Sequence, residues 1–244
     1  MRLSAFDCVV LDLDDTLFLE RDYVKSGFRA VNLYLEVELG IAGFFDISWR
    51  LFENGARGDI FDQTLAALGE TEDPNLVSNL LGVYRNHSPE LSMFPDAVAA
   101  LQELAHRFIA VVTDGPVESQ RAKAEAIGAN DWSSLTIFTS ELGPGHEKPD
   151  QEPFRLAQEA SGVPSSRIAY VADNPKKDFI APNRLGWTTV RVRRPGSLHE
   201  ATVSGADVDC EVATLLEVLA SNTRDDQSIN AGANALRVPK SDGT

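Results

Sequence analysis

Residues 6–18 read Phe-Asp-Cys-Val-Val-Leu-Asp-Leu-Asp-Asp-Thr-Leu-Phe. The apolar run in this stretch is rich in β-branched residues, which is typical of a strand buried on both faces in a parallel sheet. Three carboxylates, those of Asp12, Asp14 and Asp15, crowd its C-terminal end. Like charges this close repel, and a bound cation turns the repulsion into coordination. Because open α/β sheets bind ligands at the C-terminal ends of strands, the stretch predicts a cation-dependent site there.

Four further apolar segments have the length of buried strands. Helical patterns alternate with them from residue 95 onward, and a last helix is expected over 211–219. This βαβ rhythm predicts an α/β fold with a doubly wound, Rossmann-like parallel sheet and right-handed crossovers. The four segments are residues 108–112, 135–138, 168–171 and 188–192.

A helical insert separates the first strand from the rest of the predicted sheet. Residues 20–90 contain no strand pattern, and Asp73 followed by Pro74 is typical of a helix start. From residue 221 onward polar residues and small residues dominate, which indicates a flexible tail. We therefore predict a core of residues 1–18 and 92–220, a helical cap of residues 19–91 and a tail of residues 221–244.

The charge of the 244-residue chain limits its partners. A formal net charge of -15 argues against a nucleic acid or an anionic membrane surface. No run of 18 apolar residues occurs, so we predict no membrane span, and the start has no signal-peptide pattern. We expect a cytoplasmic protein, and a homodimer is left open.

Polar motifs follow the later strands as well. Residues 113–116, Thr-Asp-Gly-Pro, offer the Thr113 hydroxyl and the backbone N–H groups of Asp114 and Gly115 to phosphate oxygens, although they also suit a simple turn. Residues 147–150, Glu-Lys-Pro-Asp, carry an ammonium group at Lys148. Residues 173–178 follow the fourth strand and begin and end with aspartate, whose oxygen atoms suit Mg²⁺.

These motifs, in this order, resemble those of the haloacid dehalogenase-like hydrolases, a superfamily made mostly of phosphatases. The resemblance covers residues 6–18 and 92–195. It implies that Asp12 attacks phosphorus and forms an aspartyl-phosphate. It also implies that Asp14 is the general acid and then the general base, and that Lys148 neutralises Asp12 and the transferring phosphoryl group.

The resemblance further implies a Mg²⁺ ion. Asp12 and Asp173 would ligate it with their carboxylates, and Asp14 would face it with its backbone carbonyl. Asp178 would orient a metal-bound water or Lys148. The sequence departs from the family pattern at Ala172, where a glycine usually precedes the metal-binding aspartate. Asp15 has no role implied by the resemblance and is expected to be a solvated turn carboxylate.

On this basis the sequence implies a Mg²⁺-dependent phosphatase of a small phosphorylated metabolite, with a cap that resembles the α-helical cap of the superfamily's first subclass. Asp14 argues against a haloacid dehalogenase, and Lys25, the only lysine in residues 19–91, is poorly placed for a phosphonate hydrolase. A phosphomutase of the same fold and a catalytically silent phosphate-binding or interaction module remain alternatives. Specificity is expected from polar cap residues and a loop histidine: Arg21, Tyr23, Arg29, Arg50, Arg57, Arg85, His87 and His146.

Overall fold

The computed structural model describes residues 1–219, so the predicted tail of residues 221–244 lies outside the described residues. Six parallel strands form one sheet in the order β3-β2-β1-β4-β5-β6. This confirms the predicted doubly wound α/β fold. The strands are β1 Cys8–Leu11, β2 Phe108–Thr113, β3 Leu135–Phe138, β4 Ile168–Ala172, β5 Thr188–Val192 and β6 Cys210–Val212.

Strand β1 lies at the centre of the sheet and is buried along its whole length. Val9 and Leu11 pack into the hydrophobic cluster on one face, whereas Cys8 and Val10 pack into the cluster on the other. This follows from the two-residue period of a strand. Because both faces are covered by apolar side chains, the polar residues that follow Leu11 emerge at the edge of the sheet where ligands bind.

Nine helices surround the sheet or belong to the insert within the described residues. Those that follow β1 directly are α1 Glu20–Tyr34, α2 Phe44–Glu53, α3 Ile60–Ala67 and α4 Pro74–Asn86. A π-helical turn, Leu35–Leu39, extends α1, and no helix of residues 1–219 is long and apolar enough to cross a bilayer. The remaining helices are α5 Pro95–Glu103, α6 Val117–Ala126, α7 Ala129–Trp132, α8 Glu152–Ser161 and α9 Ile180–Arg184.

Helices α1 to α4 enclose a hydrophobic cluster of their own. Phe28 stands at its centre, with the rings of Phe44, Phe52 and Phe61 edge-on to it at centroid distances of 6.0 to 6.3 Å. Edge-to-face packing of this kind adds to the burial energy of aromatic rings. The packing is consistent with the predicted cap, and its boundaries at residues 19 and 91 stay a prediction.

The helix predicted over 211–219 is wrong. Residues Cys210–Val212 form the edge strand β6, which pairs with β5, and Leu215–Val218 form a 3₁₀ turn. Thr214 is the N-cap of that turn, in a capping box with Glu217, so helical backbone begins only after residue 214, within the range predicted to be one helix. Three residues of alternating pattern are too few to distinguish a strand from a helix in sequence.

A buried ion pair fixes the end of the described chain to the core. Arg194 donates to an Asp96 oxygen that also accepts from the Thr214 hydroxyl and the Leu215 N–H, each at 2.7 Å. Nε and Nη2 of Arg194 donate to the carbonyl oxygen of Thr16 at 3.2 and 3.0 Å. Burial raises the pKa of Asp96, but these hydrogen bonds outweigh it and hold the pKa below its ordinary value.

We expect Asp96→Ala to lower the free energy of unfolding by about 3–5 kcal/mol, because it leaves the buried Arg194 guanidinium without its counter-charge. Urea denaturation measures the loss. Asp62→Ala is the matched control, since Asp62 is an exposed aspartate in the first turn of α3, and its expected loss is below about 1 kcal/mol. Equal losses in the two variants would contradict the role given to the buried pair.

Candidate active site

A cavity of about 330 Å³ lies between the C-terminal strand ends and helices α1 and α4. The predicted site residues Asp12, Asp14, Thr113, Lys148 and Asp173 all line it. The register explains part of this convergence, because Leu11 of β1 is level with Val111 of β2 and Val171 of β4. The polar residues that follow these strands therefore emerge side by side.

Lys148 is the electrostatic centre of the site. Its Nζ lies 3.0 Å from Asp12 Oδ1 and 3.0 Å from Asp178 Oδ1, and it donates to the Tyr170 hydroxyl at 3.2 Å. Burial disfavours the ammonium form, but the two carboxylates outweigh burial and raise the pKa of Lys148 well above its ordinary value. Lys148 therefore stays charged. Burial also raises the pKa of Asp12 to about 7, although Lys148 opposes the rise.

Three buried carboxylates form a potential cation site. One oxygen from each of Asp12, Asp173 and Asp178 lies within 4.8 Å of the other two. Oδ2 of Asp173 is buried without a hydrogen-bond partner among residues 1–219. Burial, together with Asp178 and Asp12, raises the pKa of Asp173 to about 9. A divalent cation would relieve this excess of buried negative charge, and an all-oxygen donor set suits Mg²⁺.

The structure gives Asp178 and Asp14 positions that their sequence motifs do not specify. Asp178 is one of the three carboxylates that lie within 4.8 Å of one another, and it also pairs with Lys148. Its carboxylate is therefore close enough to ligate a cation bound between the three. The Asp14 side chain is not one of these three carboxylates and instead points toward Lys123 of α6. That the backbone carbonyl of Asp14 faces a metal stays a prediction.

Helix α6 supplies two polar residues that sequence reasoning missed. Lys123 Nζ lies 2.7 Å from Asp14 Oδ1, and Gln120 Nε2 donates to Asp14 Oδ2 at 3.1 Å. Gln120 also accepts a hydrogen bond from the Thr113 hydroxyl at 2.8 Å. Burial lowers the pKa of Lys123, but the charges of Asp14 and Glu20 outweigh it, so the pKa is raised. The signal available in the sequence was the three-residue spacing of Gln120 and Lys123 on a predicted helix that follows Thr113.

Asp114 connects the loops that line one part of the cavity. Its carboxylate accepts from the Thr139 hydroxyl at 2.9 Å, the Lys148 N–H at 3.1 Å and Lys177 Nζ at 2.5 Å. Gly115 follows with a φ of 127°, and a Cβ there would lie 3.0 Å from Gln120 Nε2. A side chain at this position would crowd the amide that reaches Asp14, which explains the glycine.

The expectation that Asp15 is solvated is wrong. The residue is 2% exposed and adopts a φ of 53°. Its carboxylate accepts from the Glu20 N–H at 2.9 Å and from the Leu198 N–H at 2.8 Å. These two backbone donors replace water, and through them Asp15 joins the start of helix α1 to the loop that follows β5.

Of the predicted specificity residues, Tyr23 and Arg85 line the cavity. The three cavity lysines lie next to carboxylates, whereas Arg85 has no carboxylate partner in the described part of the chain. His199, which carried no signal in the sequence, also lines the cavity. The other candidates do not line the cavity. Three of them form ion pairs, Arg21 with Glu53, Arg29 with Glu90 and His146 with Asp150. Arg57 and His87 form hydrogen bonds with residues of the insert, and Arg50 is exposed.

Comparison with known proteins gives a consistent family. The model of the haloacid dehalogenase-like hydrolases matches residues 6–186. Glyceraldehyde 3-phosphate phosphatase from Methanopyrus kandleri is 28% identical over 196 residues, which cover 76% of this chain and 83% of that protein.

Two solved structures have a similar fold at low identity. CbbY from Rhodobacter sphaeroides, in complex with phosphate, gives a TM-score of 0.60 at 18% identity and covers 87% of this chain and 96% of its own. YfnB from Bacillus subtilis, bound to magnesium, gives a TM-score of 0.62 at 16% identity and covers 89% of this chain and 97% of its own. At these identities the two structures speak for the fold alone.

Proposed function

The chain belongs to the haloacid dehalogenase-like hydrolases, and from this premise we propose that it is a Mg²⁺-dependent phosphatase of a small phosphorylated metabolite, acting through an aspartyl-phosphate. The observation that carries the proposal is the buried Lys148 ammonium, 3.0 Å from both Asp12 and Asp178, at the wall of a cavity. The relative from Methanopyrus kandleri, a phosphatase, supports the reaction class.

The side chains divide the reaction into two displacements. An Asp12 oxygen attacks phosphorus, and a bond from phosphorus to Asp12 forms as the ester P–O bond breaks. Asp14 donates a proton to the departing oxygen. In the second half Asp14 takes a proton from water, whose oxygen attacks phosphorus and releases Asp12. Lys148 stabilises the negative charge of both transition states.

Asp12, Asp173 and Asp178 are the residues that would hold the metal, together with the backbone carbonyl of Asp14. A bound Mg²⁺ supplies positive charge to the phosphoryl oxygens. Thr113 and the backbone N–H groups that follow it are proposed to bind the phosphoryl oxygens, and Lys177 lies at the same wall of the cavity.

The cavity favours a small substrate. Its volume of about 330 Å³ is at the lower end of the range for small-molecule sites. Leu81, Tyr84 and Arg85 of α4 line it from the cap side, and they would obstruct a folded protein that presented a phosphorylated side chain. We therefore propose that the cap residues select the leaving group.

A panel of phosphorylated metabolites incubated with Mg²⁺ tests the proposal. Release of inorganic phosphate is the expected result. Conversion of an ester into its isomer without phosphate release would identify a phosphomutase. Binding of phosphate with neither reaction would identify a silent module, and faster hydrolysis of phosphoproteins than of any metabolite would overturn the proposed substrate class.

Arg85 is expected to set the ranking of substrates. A charge-assisted hydrogen bond contributes about 1.5–3 kcal/mol, so Arg85→Ala should lower kcat/KM by about 10-fold or more for metabolites with a second anionic group. Turnover of a minimal aryl phosphate should change little. Arg57→Ala is the control, because the Arg57 guanidinium lies 4.1 Å from the Phe52 ring and outside the cavity lining. An unchanged ranking in Arg85→Ala would exclude this role.

A further inference from the structure

Lys123 is a buried lysine that the reaction described above does not use. Lys123 lies on α6 and is 3% exposed. Its Nζ lies 2.7 Å from Asp14 Oδ1 and 2.8 Å from Asp14 Oδ2. Lysine is seldom buried to this extent without a charged partner. The partner here is Asp14, the side chain proposed as the general acid, so Lys123 lies next to the group that would protonate the leaving oxygen.

A second residue of the same helix holds Asp14 from another side. Gln120 Nε2 donates to Asp14 Oδ2 at 3.1 Å, while its Oε1 accepts from the Thr113 hydroxyl at 2.8 Å. Lys123 Nζ and Gln120 Nε2 therefore both donate to Asp14 Oδ2. Asp14 Oδ1 lies 2.7 Å from Lys123 Nζ, but it is buried and accepts no hydrogen bond from residues 1–219. The carboxylate keeps lone-pair capacity for a further partner, and Asp14 is among the residues that line the cavity.

Lys123 also contacts the cap. Its Nζ lies 4.4 Å from the centroid of the Tyr23 ring, on α1, which is within the range of a cation–π interaction. Glu20, at the start of α1, lines the same cavity and adds a second negative charge near the ammonium. The ammonium therefore stands between the catalytic strand end and the first helix of the cap.

We propose that Lys123, assisted by Gln120, is a positioning residue that fixes the orientation of the Asp14 carboxylate toward the leaving oxygen, and that its contact with Tyr23 links this orientation to the cap. The inference rests on the proposed phosphatase function. General acids must be placed within hydrogen-bond reach of the departing atom, and small displacements of such groups are costly in rate. Lys123 acts on the leaving group through Asp14.

The test compares leaving groups. An alkyl phosphate needs a proton on its departing oxygen, whereas 2,4-dinitrophenyl phosphate releases a stable anion and needs none. In Lys123→Met, kcat/KM for the alkyl phosphate should fall on the order of 10-fold to 100-fold, within the contribution of general acid catalysis. For the dinitrophenyl ester it should stay within about 3-fold of the native value. Equal losses on both esters would overturn the proposal.

A double-mutant cycle separates positioning from other effects of the charge. Asp14→Asn should show the same leaving-group pattern as Lys123→Met and a larger loss. If Lys123 acts through Asp14, adding Lys123→Met to Asp14→Asn should lower kcat/KM for the alkyl phosphate no further. Additive losses would show that Lys123 acts independently of Asp14 and would refute the inference.

Three further variants control the test. Lys25→Met removes a different cation–π contact, in which Nζ of Lys25, a residue of α1, lies 5.4 Å from the centroid of the Trp49 ring, outside the cavity lining. This variant should hydrolyse both esters at the native rate. Lys123→Arg should restore part of the alkyl phosphate activity. If Lys123→Met does not fold, Gln120→Met should give the same selective loss at smaller size, and an equal loss on both esters there would count against the proposal. A native protein inactive on both esters would instead refute the proposed function.

Discussion

Asp12→Asn should lower turnover of any phosphate ester by at least about 10⁴-fold, the scale seen when one member of a covalent catalytic unit is removed. An amide oxygen is a poor nucleophile, so the aspartyl-phosphate cannot form at a useful rate. The fold should persist, because the Lys148 ammonium keeps Asp178 as a partner at 3.0 Å. Initial rates of phosphate release, with a melting curve for each protein, measure both effects.

Asp7→Asn is the matched control for this change. Asp7 immediately precedes β1, at the opposite end of the strand from Asp12, and pairs with Arg107 and Arg167. Its replacement should leave turnover within about 3-fold, as expected of a half-exposed position away from the cavity. Beryllium fluoride, which mimics a phosphoryl group on aspartate, should bind the native protein and Asp7→Asn but not Asp12→Asn. Comparable turnover by Asp12→Asn and the native protein would refute the nucleophile.

The fold could be predicted because its strands carry their own signal. β1 and β4 are buried apolar runs, and β3 and β5 have the bounds that the sequence pattern gave them. β6 was missed because three residues on a sheet edge make no distinctive pattern. Its place depends on pairing with β5, which is a contact between distant segments that periodicity does not contain.

The candidate site was predictable where motif and strand end coincide. Asp12 and Asp173 directly follow β1 and β4, and Thr113 is the last residue of β2, so their convergence follows from the parallel sheet. Asp15 could not be assigned in the same way. Its burial depends on the Leu198 N–H, which reaches it from 183 residues further along the chain.

Arg191 is a second residue whose environment could not be predicted, because its contacts also come from other segments of the chain. In the sequence it is an arginine within an apolar strand, yet its side chain is fully buried. Nε donates to the Asp173 carbonyl at 3.0 Å, and the guanidinium also donates to the carbonyls of His199 and Thr202 at 2.7 Å. It thereby joins the proposed metal-binding residue to the loop that carries His199. Backbone carbonyls leave no trace in a sequence, so this contact was not predictable.

Removal of the metal should abolish turnover, and Asp173→Asn should weaken Mg²⁺ binding by at least about 10-fold to 100-fold, the loss that even indirect supporting residues of metal sites produce. Asp173 Oδ2 is buried without a hydrogen-bond partner among the described residues, and Asp173, unlike Asp12 and Asp178, has no ion pair with Lys148 there. We therefore propose Asp173 as the ligand that depends most on a cation. Excess EDTA should stop phosphate release by the native protein, and added Mg²⁺ should restore it.

A thermal shift measures the binding without using activity. A ligand that binds only the folded state raises the melting temperature by mass action, so Mg²⁺ should stabilise the native protein. Asp173→Asn should lose most of this shift. Without metal it should melt no lower than the native protein, because burial and the neighbouring carboxylates already disfavour the charged form of Asp173 and raise its pKa to about 9. Asp150→Asn is the control, since Asp150 is 39% exposed in its side chain and pairs with His146 outside the cavity lining. It should keep the full shift. Full turnover in excess chelator, or an unchanged Mg²⁺ shift in Asp173→Asn, would show that the three carboxylates are not a metal site.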